Sequence, residues 1–263
     1  IAGQMDELGI GLMALSADPT RGQFDQGERY DPLARKLVEA YPDYFIPTGN
    51  GGQPPFLTEG MNDFFNATIE EAKRVPLLLL GEYEIRHYPS PRQIKRGEMD
   101  RDVQIPIDGP IGHQIFSLSQ ALGLPFQLHY EIENHLLPPL EKMLAAYPQA
   151  KVIWCHLAQV RYSERASDYS AGYVEGLIKR FPNLYFDTAF GDAQSVYPGS
   201  NQRHARVWKM FGGLREEWLE LMVSYPGRFL SALDLGGDRI NPLPEYDRTH
   251  RDFLRYLPRD VQH

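Results

Sequence analysis

The amino-acid sequence predicts an α/β fold in which parallel strands alternate with helices. Three observations predict it: short apolar runs of strand length, amphipathic segments between them, and a repeat of roughly 30 residues that fits one strand–helix unit. The runs are continuously apolar rather than alternating, as in strands that are buried on both faces. Because consecutive parallel strands need crossover helices, this order predicts a parallel sheet.

Seven runs have this strand-like character. They are GLMALSAD (11–18), YFIPTGN (44–50), VPLLLLGEYEI (75–85), PFQLHYEI (125–132), KVIWCHLA (151–158), NLYFDTAF (183–190) and RFLSALDLGG (228–237). Several of the helical segments between them end at Gly or at Tyr-Pro, and both terminate helices. The stretches 89–110 and 191–203 are predicted to be loops.

Seven strands fit two architectures. A doubly wound open sheet can have seven strands, and so can a TIM (β/α)8 barrel that lacks its first strand. The chain opens inside a helical pattern, since Met5 and Leu8 are apolar at helical spacing and Gly9 stands at the usual helix end. We therefore expect a single barrel domain over residues 1–263 that is incomplete at its N-terminus.

The composition of the chain indicates which classes of partner the protein can bind and in which compartment it is expected. The 263 residues carry a net charge of −8, whereas nucleic acids and anionic membranes require clustered Lys and Arg. No segment reaches the roughly 20 apolar residues of a membrane span. The only cysteine, Cys155, excludes an internal disulfide and fits a reducing compartment. We expect a cytoplasmic protein that acts on a small molecule, although upstream sequence could carry an export signal; a homo-oligomer stays open.

Four of the predicted strands carry a metal-ligand residue at or near the C-terminal end: Glu82, His129, His156 and Asp234. In a parallel barrel these ends meet at one rim, where barrel enzymes place their catalytic groups. Two imidazoles with one or two carboxylates suit Zn²⁺, or Mn²⁺ as an alternative. Such a metal would polarise a carbonyl and lower the pKa of a bound water towards about 7.

Each of these residues also has a structural interpretation. A single histidine at a strand end is more often a hydrogen-bonded structural group. Glu82 could pair with Arg86 or Arg74, and Asp234 could belong to the turn formed with the glycines after it. Their joint occurrence at the same end of four strands favours a site, because ionisable groups seldom lie in apolar strands without a partner or a metal.

Four further residues beside these positions are predicted substrate contacts: Glu84, Arg86, His87 and Arg161. Glu131, two residues after His129, could orient that histidine or contact substrate, but a solvated loop face is favoured. Asp187 ends the sixth run, and a structural role is favoured there. Cys155 points away from His156 along the strand, which indicates core packing.

Long stretches of the chain resemble the amidohydrolase superfamily, and within it the amidohydrolase-related (family 2) metal-dependent hydrolases. The segments that carry the resemblance are PFQLHYEIEN, HLLPPLEKMLAAYPQAKVIWCHLA, KRFPNLYFDTAF and YPGRFLSALDLGGDR. The resemblance implies a metal-dependent hydrolase barrel, with His129 on strand five, His156 on strand six and Asp234 on strand eight as metal ligands. It also implies that Asp234 shuttles the proton.

Glu82 lies in GEYEIRHY, which resembles the strand-four Gly-Glu motif of related hydrolases and implies a direct or bridging ligand. The sequence departs from the family in three ways. The strand-one His-x-His is absent, since no histidine precedes His87, and a strand-four lysine is absent too. The chain also stops before the family's last helix, so the barrel is expected to be incomplete at this end as well. Asp238 is a rival to Asp234.

The sequence thus predicts a metal-dependent hydrolase of a small amide, ester or lactone, with Asp234 as the catalytic proton carrier. Two alternatives stay open. The first is a metal-dependent decarboxylase of an aromatic or unsaturated acid, which Arg86 or Arg161 would favour by holding a carboxylate at the metal. The second is a catalytically inactive barrel with a binding role.

Overall fold

The computed structural model describes residues 1–16, 21–203, 206–235 and 242–262. The last two residues of the first predicted strand and the last two of the seventh lie outside these ranges, as does Asp238. Within these ranges, no helix combines the length and the apolar character that crossing a bilayer requires.

The described part of the chain contains ten strands and ten α-helices. The strands are β1 (Met13–Leu15), β2 (Phe45–Pro47), β3 (Leu80–His87), β4 (Val103–Gln104), β5 (Pro125–Tyr130), β6 (Lys151–Trp154), β7 (Leu184–Asp187), β8 (Val196–Tyr197), β9 (Gln202–Arg203) and β10 (Phe229–Leu230). The helices are α1 (Ala2–Leu8), α2 (Arg21–Asp25), α3 (Pro32–Ala40), α4 (Met61–Arg74), α5 (Pro91–Arg96), α6 (Pro110–Leu122), α7 (Leu137–Ala146), α8 (Ala171–Arg180), α9 (Glu216–Ser224) and α10 (Leu243–Leu254).

Seven of these strands run parallel and follow each other in chain order. The order β3-β5-β6-β7-β10 forms the main sheet, and β1 pairs with β2 beside it. Two parallel bridges, Thr48–Leu79 and Gly52–Tyr83, connect the segment after β2 to β3. Each of the seven predicted strands therefore contains an observed strand, and none is out of order, as a barrel wall requires.

The first and the last of these strands, β1 and β10, are not paired with each other within the described residues. A small apolar cluster lies at this side of the sheet. It is built on Met5 of α1, Phe45 of β2 and Leu243 of α10, and Leu233 and Leu235 pack against it. The two ends of the sheet are thus connected through side chains and not through backbone hydrogen bonds.

The main core lies between the sheet and its crossover helices. On β3, Tyr83 is fully buried among aromatic rings, with centroids 6.3 Å from Phe64 and 6.2 Å from Phe65 of α4. On the neighbouring strand, Phe126 lies 6.2 Å from Tyr83. Edge-to-face and tilted contacts of this kind add to the free energy gained by burying the rings. They fix the helix layer against the strands that carry the polar residues.

The two stretches predicted to be loops contain regular structure, so this prediction was wrong in part. The first contains α5, which begins with a capping box formed by Ser90 and Gln93 and ends at Gly97 in a left-handed conformation. It also contains β4, antiparallel to β3. The second contains the β8–β9 hairpin. The capping residues satisfy the free N–H groups of the first turn, a local signal that proline and charge content concealed.

The packing of α6 against the backbone of the segment before it can be tested by a substitution at Gly112. A Cβ at this position would lie 1.7 Å from the carbonyl oxygen of Ile107, whereas a Cβ at Gly176 of α8 would meet nothing within 4 Å. We expect Gly112→Ala to lower the free energy of unfolding by about 1–3 kcal/mol through overpacking. Gly176→Ala should raise it by about 0.5–1 kcal/mol, because alanine favours the helix. Urea titrations of both variants measure the difference; equal shifts of the same sign would contradict this packing.

Candidate metal centre

Three predicted ligands of three adjacent strands meet in space. His129 lies near the C-terminal end of β5 and His156 two residues after the end of β6, whereas Glu82 is the third residue of β3, which extends to His87 and so ends later than the sequence predicted. Glu82 Oε1 lies 2.6 Å from His129 Nδ1 and 3.4 Å from His156 Nε2. One ligand atom from each of the three residues lies within 4.8 Å of the others. Their joint occurrence in the sequence therefore corresponds to a real cluster in space.

The two histidines of the cluster are buried, Glu82 is partly exposed, and the charges of the three side chains shift one another's pKa values. Burial alone would lower the pKa of His129, but hydrogen bonds with Glu131 and Glu82 outweigh it and raise that pKa to about 10. Burial also opposes protonation of His156, while the charges of Asp234 and Asp187 raise its pKa to about 9. For Glu82, contacts with the two histidines overcome burial and hold the pKa well below its usual range. The site therefore favours positive charge.

Glu131 is a site residue for which the sequence favoured the wrong one of two interpretations. A solvated loop face was favoured over a role in orienting His129, but Glu131 is 1% exposed and its Oε1 lies 3.0 Å from His129 Nε2. Arg161 Nε donates to it at 3.2 Å and, despite burial, helps to lower its pKa to about 2. The signal was present: His129 and Glu131 are two residues apart, so they share a face of an extended strand.

His87 also reaches the site, although on a regular strand it would point away from Glu82. The pairing of β3 with β5 shifts register between Glu84 and Arg86, so one extra residue is accommodated there. The ring of His87 lies 4.8 Å from that of His129, and its Nδ1 lies 2.8 Å from the carbonyl oxygen of Arg101. That contact assigns the proton to Nδ1 and leaves the lone pair on Nε2.

A second possible ligand group results from this bulge. It consists of His87, His129 and Glu131, again with ligand atoms within 4.8 Å of one another. His129 belongs to both groups. The predicted substrate contact at His87 is therefore placed among potential ligands, where burial and the charge of His129 lower its pKa and keep the imidazole neutral.

The other predicted substrate contacts all bond to protein groups. Arg86 donates to Asp102 Oδ1 at 2.7 Å and to the carbonyl oxygen of Val103 at 3.0 Å, so it anchors β4 to β3. Glu84 accepts from Arg101 Nη2 at 2.7 Å. Arg161, as described, holds Glu131. The structure thus places these three residues around the cluster, with their charged groups facing carboxylates or guanidinium groups of the chain.

An unusual backbone conformation positions the side chain of His156 in the cluster. Four consecutive non-glycine residues, 156–159, have positive φ, with values of 56° at His156 and 33° at Gln159. Each left-handed residue costs roughly 1–2 kcal/mol, and such strain concentrates at functional sites. Asp187 at the end of β7 accepts the backbone N–H of His156 at 2.8 Å, which holds the turn in place. The structural role favoured for Asp187 fits this contact.

Asp234 lies beyond the end of β10, exposed, with a φ of 50°. It is outside both possible ligand groups, but its charge raises the pKa of His156. Its predicted rival Asp238 lies outside the described residues. Asp234 is therefore near the site and in electrostatic contact with one of its histidines.

The residues present fit a divalent cation. Carboxylates draw protons onto both histidines, so the same field would stabilise a metal ion in their place. Within the described ranges, Nδ1 of His156 is buried and has no hydrogen-bond partner. Two imidazoles and a carboxylate form the mixed nitrogen and oxygen set that transition metals accept. Glu82, His129 and His156 are the side chains that could hold the ion.

Comparison with known families agrees with this site and fold. A sequence model of the amidohydrolase family matches residues 4–211. The chain therefore belongs to the amidohydrolase family, and the suspected resemblance is confirmed. Family membership supports an enzyme and makes a divalent metal plausible. No match was found among curated proteins.

Solved structures of three enzymes are similar to this chain over 99% of its length. The 4-oxalomesaconate hydratase of Rhodopseudomonas palustris is 15% identical, with 75% of that chain covered and a TM-score of 0.52. The 5-carboxyvanillate decarboxylase of Sphingomonas paucimobilis is 15% identical, with 78% covered and a TM-score of 0.52. A dihydroxybenzoic acid decarboxylase of a Polaromonas species, with bound manganese and the inhibitor 2-nitroresorcinol, is 13% identical, with 80% covered and a TM-score of 0.50.

These similarities decide between the two architectures that the sequence left open. At such low identity they show the fold alone, and that fold is the TIM barrel of the amidohydrolase family. The described strands form a wall of this barrel, without pairing between β1 and β10. The predicted α/β barrel is confirmed, and the doubly wound sheet is excluded.

The strained turn after His156 gives a stability prediction. Gln159→Gly should raise the free energy of unfolding by about 0.5–1 kcal/mol, because glycine adopts positive φ without the steric cost that glutamine has there. The same exchange at exposed Gln120, inside α6, should lower it by about 0.5–1 kcal/mol. Both are measured by urea unfolding in the presence of a chelator. Destabilisation by Gln159→Gly equal to that of Gln120→Gly would show that the turn is unstrained.

Proposed function

We propose that this protein is a metal-dependent hydrolase of a small molecule that contains an amide, ester or lactone bond. One observation carries the proposal: Glu82, His129 and His156 of three neighbouring strands converge, the two histidines at the C-terminal ends of theirs, with ligand atoms within 4.8 Å of one another. This is the face at which barrel enzymes perform their chemistry. Charged side chains are costly to bury, and a bound cation would offset that cost.

In this proposal Glu82, His129 and His156 hold one divalent ion, most consistent with Zn²⁺, and Mn²⁺ is the alternative. Asp234, which the sequence predicts as a further ligand, lies outside this group. When bound, the ion would act as a Lewis acid on the carbonyl group and on water. His87 and Glu131 could take part in holding a second ion through the group that includes His129. The manganese bound in the decarboxylase structure supports testing both metals.

The remaining side chains have roles in positioning and proton transfer. Glu131, fixed by Arg161, would orient His129, and Asp187 orients the backbone at His156. Asp234 is the proposed proton carrier, because its side chain is exposed to solvent and its charge acts on His156. Glu84, Arg86, His87 and Arg161 line the surroundings in which a substrate would bind; their present partners limit them to contacts at the margin.

Decarboxylation is the second candidate. Two structures similar in fold are named as decarboxylases of aromatic acids, and this favours testing it. The chemistry needs a cation that holds the substrate carboxylate near the metal. Arg86 and Arg161 would be the groups for this role, but each already bonds a carboxylate of the chain, Asp102 and Glu131 respectively. For this reason we place hydrolysis first.

Metal content is the first test of the site. The protein is loaded with Zn²⁺ or with Mn²⁺, dialysed, and measured by elemental analysis. We expect about one equivalent or more in the parent protein. Glu82→Gln and His129→Ala should each weaken binding by at least about 100-fold, because both remove a direct ligand in a site where even supporting residues contribute 10- to 100-fold.

Two variants serve as controls for this test. His135→Ala changes a histidine whose side chain is 72% exposed, and Glu70→Gln changes a surface carboxylate. Both should bind metal like the parent. Circular dichroism checks that each variant is folded, and Glu82→Gln keeps the shape of the side chain if His129→Ala does not fold. Unchanged affinity in Glu82→Gln and in a folded His129→Ala would remove this metal site.

Activity separates the candidate reactions. With the metal-loaded protein, we expect hydrolysis of an activated ester such as p-nitrophenyl acetate, and a fall in kcat of about 100-fold or more in Asp234→Asn through loss of the proton carrier. Exposed Asp192 is the matched control, and Asp192→Asn should keep kcat.

In parallel, release of carbon dioxide from 2,6-dihydroxybenzoate is followed. Decarboxylation without ester hydrolysis would replace the first candidate by the second, and absence of metal and of both activities would favour the inactive barrel.

A further inference from the structure

A second polar region lies outside the metal centre, in the segment between β7 and α9. The β8–β9 hairpin is followed by a tight turn in which Lys209 N–H donates to the carbonyl oxygen of Gly213 at 2.8 Å. Arg203 of β9 connects the two, because its guanidinium donates to the carbonyl oxygens of Lys209 at 3.0 Å and of Met210 at 2.6 Å. These hydrogen bonds hold the hairpin and the turn together, and two further arginines belong to the same segment.

Three arginines of this segment line one cavity of about 310 Å³: Arg203, Arg206 and Arg215. The rest of its lining is Ser163 and Trp208. A volume of this order accommodates a small organic molecule. The indole Nε1 of Trp208 donates to the carbonyl oxygen of Gly191 at 2.7 Å, so the orientation of this ring is fixed. The cavity therefore offers cationic groups beside one flat apolar surface.

The partners of these arginines differ from those of other arginines in the chain. Arg86, Arg161 and Arg180 each form an ion pair with a carboxylate at 3.2 Å or less. Within the described residues, the hydrogen bonds of the three cavity arginines all go to backbone carbonyl oxygens. Most of their N–H donors have no protein partner there, although each guanidinium can donate five hydrogen bonds.

Carboxylates near the cavity do not neutralise this charge. Glu217 lies 3.9 Å from Arg215 Nη1, at the edge of ion-pair distance, and both side chains are more than half exposed. Glu164 acts on Arg206 only at longer range, while burial and the charge of Arg215 lower the pKa of Arg206. Like charges repel unless an anion lies between them. In a chain with a net charge of −8, three such arginines around one cavity are a local reversal of sign.

The cavity is distinct from the metal centre, although the two are close. A separate narrow cavity of about 10 Å³, with room for about one water molecule, is lined by His156, Gln159 and Arg206, among others. Arg206 thus borders both cavities, whereas Arg203 and Arg215 border only the larger one. None of the residues that could hold the metal lines the larger cavity.

We propose that the cavity lined by Arg203, Arg206 and Arg215 binds the oxyanion group of a small molecule, either a phosphate or a cluster of carboxylates. Guanidinium groups match both geometrically, because two parallel N–H groups can donate to two oxygens of one anion. The bound anion would supply the negative charge that the protein does not place there. This site does not depend on the proposed metal or on the proposed hydrolysis.

The test measures anion binding without metal. The full chain is treated with a chelator, the chelator is removed by dialysis, and inorganic phosphate or citrate is titrated by calorimetry in a low-salt HEPES buffer; Trp208 fluorescence gives a second signal from the cavity. We expect one saturable site in the parent protein. Arg206→Gln and Arg215→Gln should each raise Kd about 10-fold or more, because each removes charge-assisted hydrogen bonds to the anion.

The matched control is Arg228→Gln. Among the described residues, Arg228 likewise donates its hydrogen bonds to carbonyl oxygens, those of Pro182 and Leu184, but it lies outside the cavity. Its variant should bind the anion like the parent. Arg215 is exposed, so Arg215→Gln is expected to fold even if Arg206→Gln does not. A lower Kd for phosphate identifies a phosphate group, and a lower Kd for citrate identifies a carboxylate cluster.

Two outcomes would overturn the proposal. The first is that neither anion binds to the parent protein. The second is that the anion binds, but Arg215→Gln and a folded Arg206→Gln change its Kd no more than Arg228→Gln does. Neither outcome bears on the metal centre, since metal content is measured separately. If metal fails to bind while phosphate or citrate still does, the anion site stands and the proposed hydrolase function does not.

Discussion

The rest of the site depends on how the chain compensates buried charge at the C-terminal ends of its parallel strands. Glu82 and Glu131 contact both nitrogens of His129 from opposite sides, at 2.6 Å and 3.0 Å. Buried carboxylates are stable only with hydrogen bonds or opposite charge nearby. Arg161 supplies part of that charge, and protonated imidazoles supply more. A metal ion would meet the same electrostatic requirement, and this is the physical reason for proposing one at the cluster.

Two departures from regular backbone assemble this cluster. The register shift in β3 turns His87 towards His129 and leaves Arg86 to anchor β4. The left-handed turn after β6 presents His156 to Glu82, and Asp187 holds its backbone. Both features cost conformational free energy and remain because the surrounding sheet and core determine them. Strain in the backbone is thus concentrated where the side chains must converge.

Charge is also distributed unequally around the sheet. At the strand ends, carboxylates exceed the cations that face them, and the pKa values of His129 and His156 are raised to about 10 and about 9 as a result. In the segment before α9, the imbalance is the opposite, because within the described ranges the hydrogen bonds of the cavity arginines go to carbonyl oxygens. Arg206 borders the narrow cavity next to His156, so a cation site and an anion site would be neighbours.

The sequence by itself determined the seven parallel strands, their order, and the two histidines at strand ends, because burial on both faces and the polarity of strand termini are local patterns. Glu82 was expected near the end of its strand, but that strand extends to His87, so Glu82 lies near its start. It also contained the pair His129 and Glu131 at a spacing of two, which alternation would have placed on one face. Only the tertiary structure decided that Glu131 is buried, that Arg86 bonds Asp102, and that His87 joins the cluster. These outcomes depend on a register shift and on distant partners, and no local periodicity encodes contacts between residues far apart in the chain.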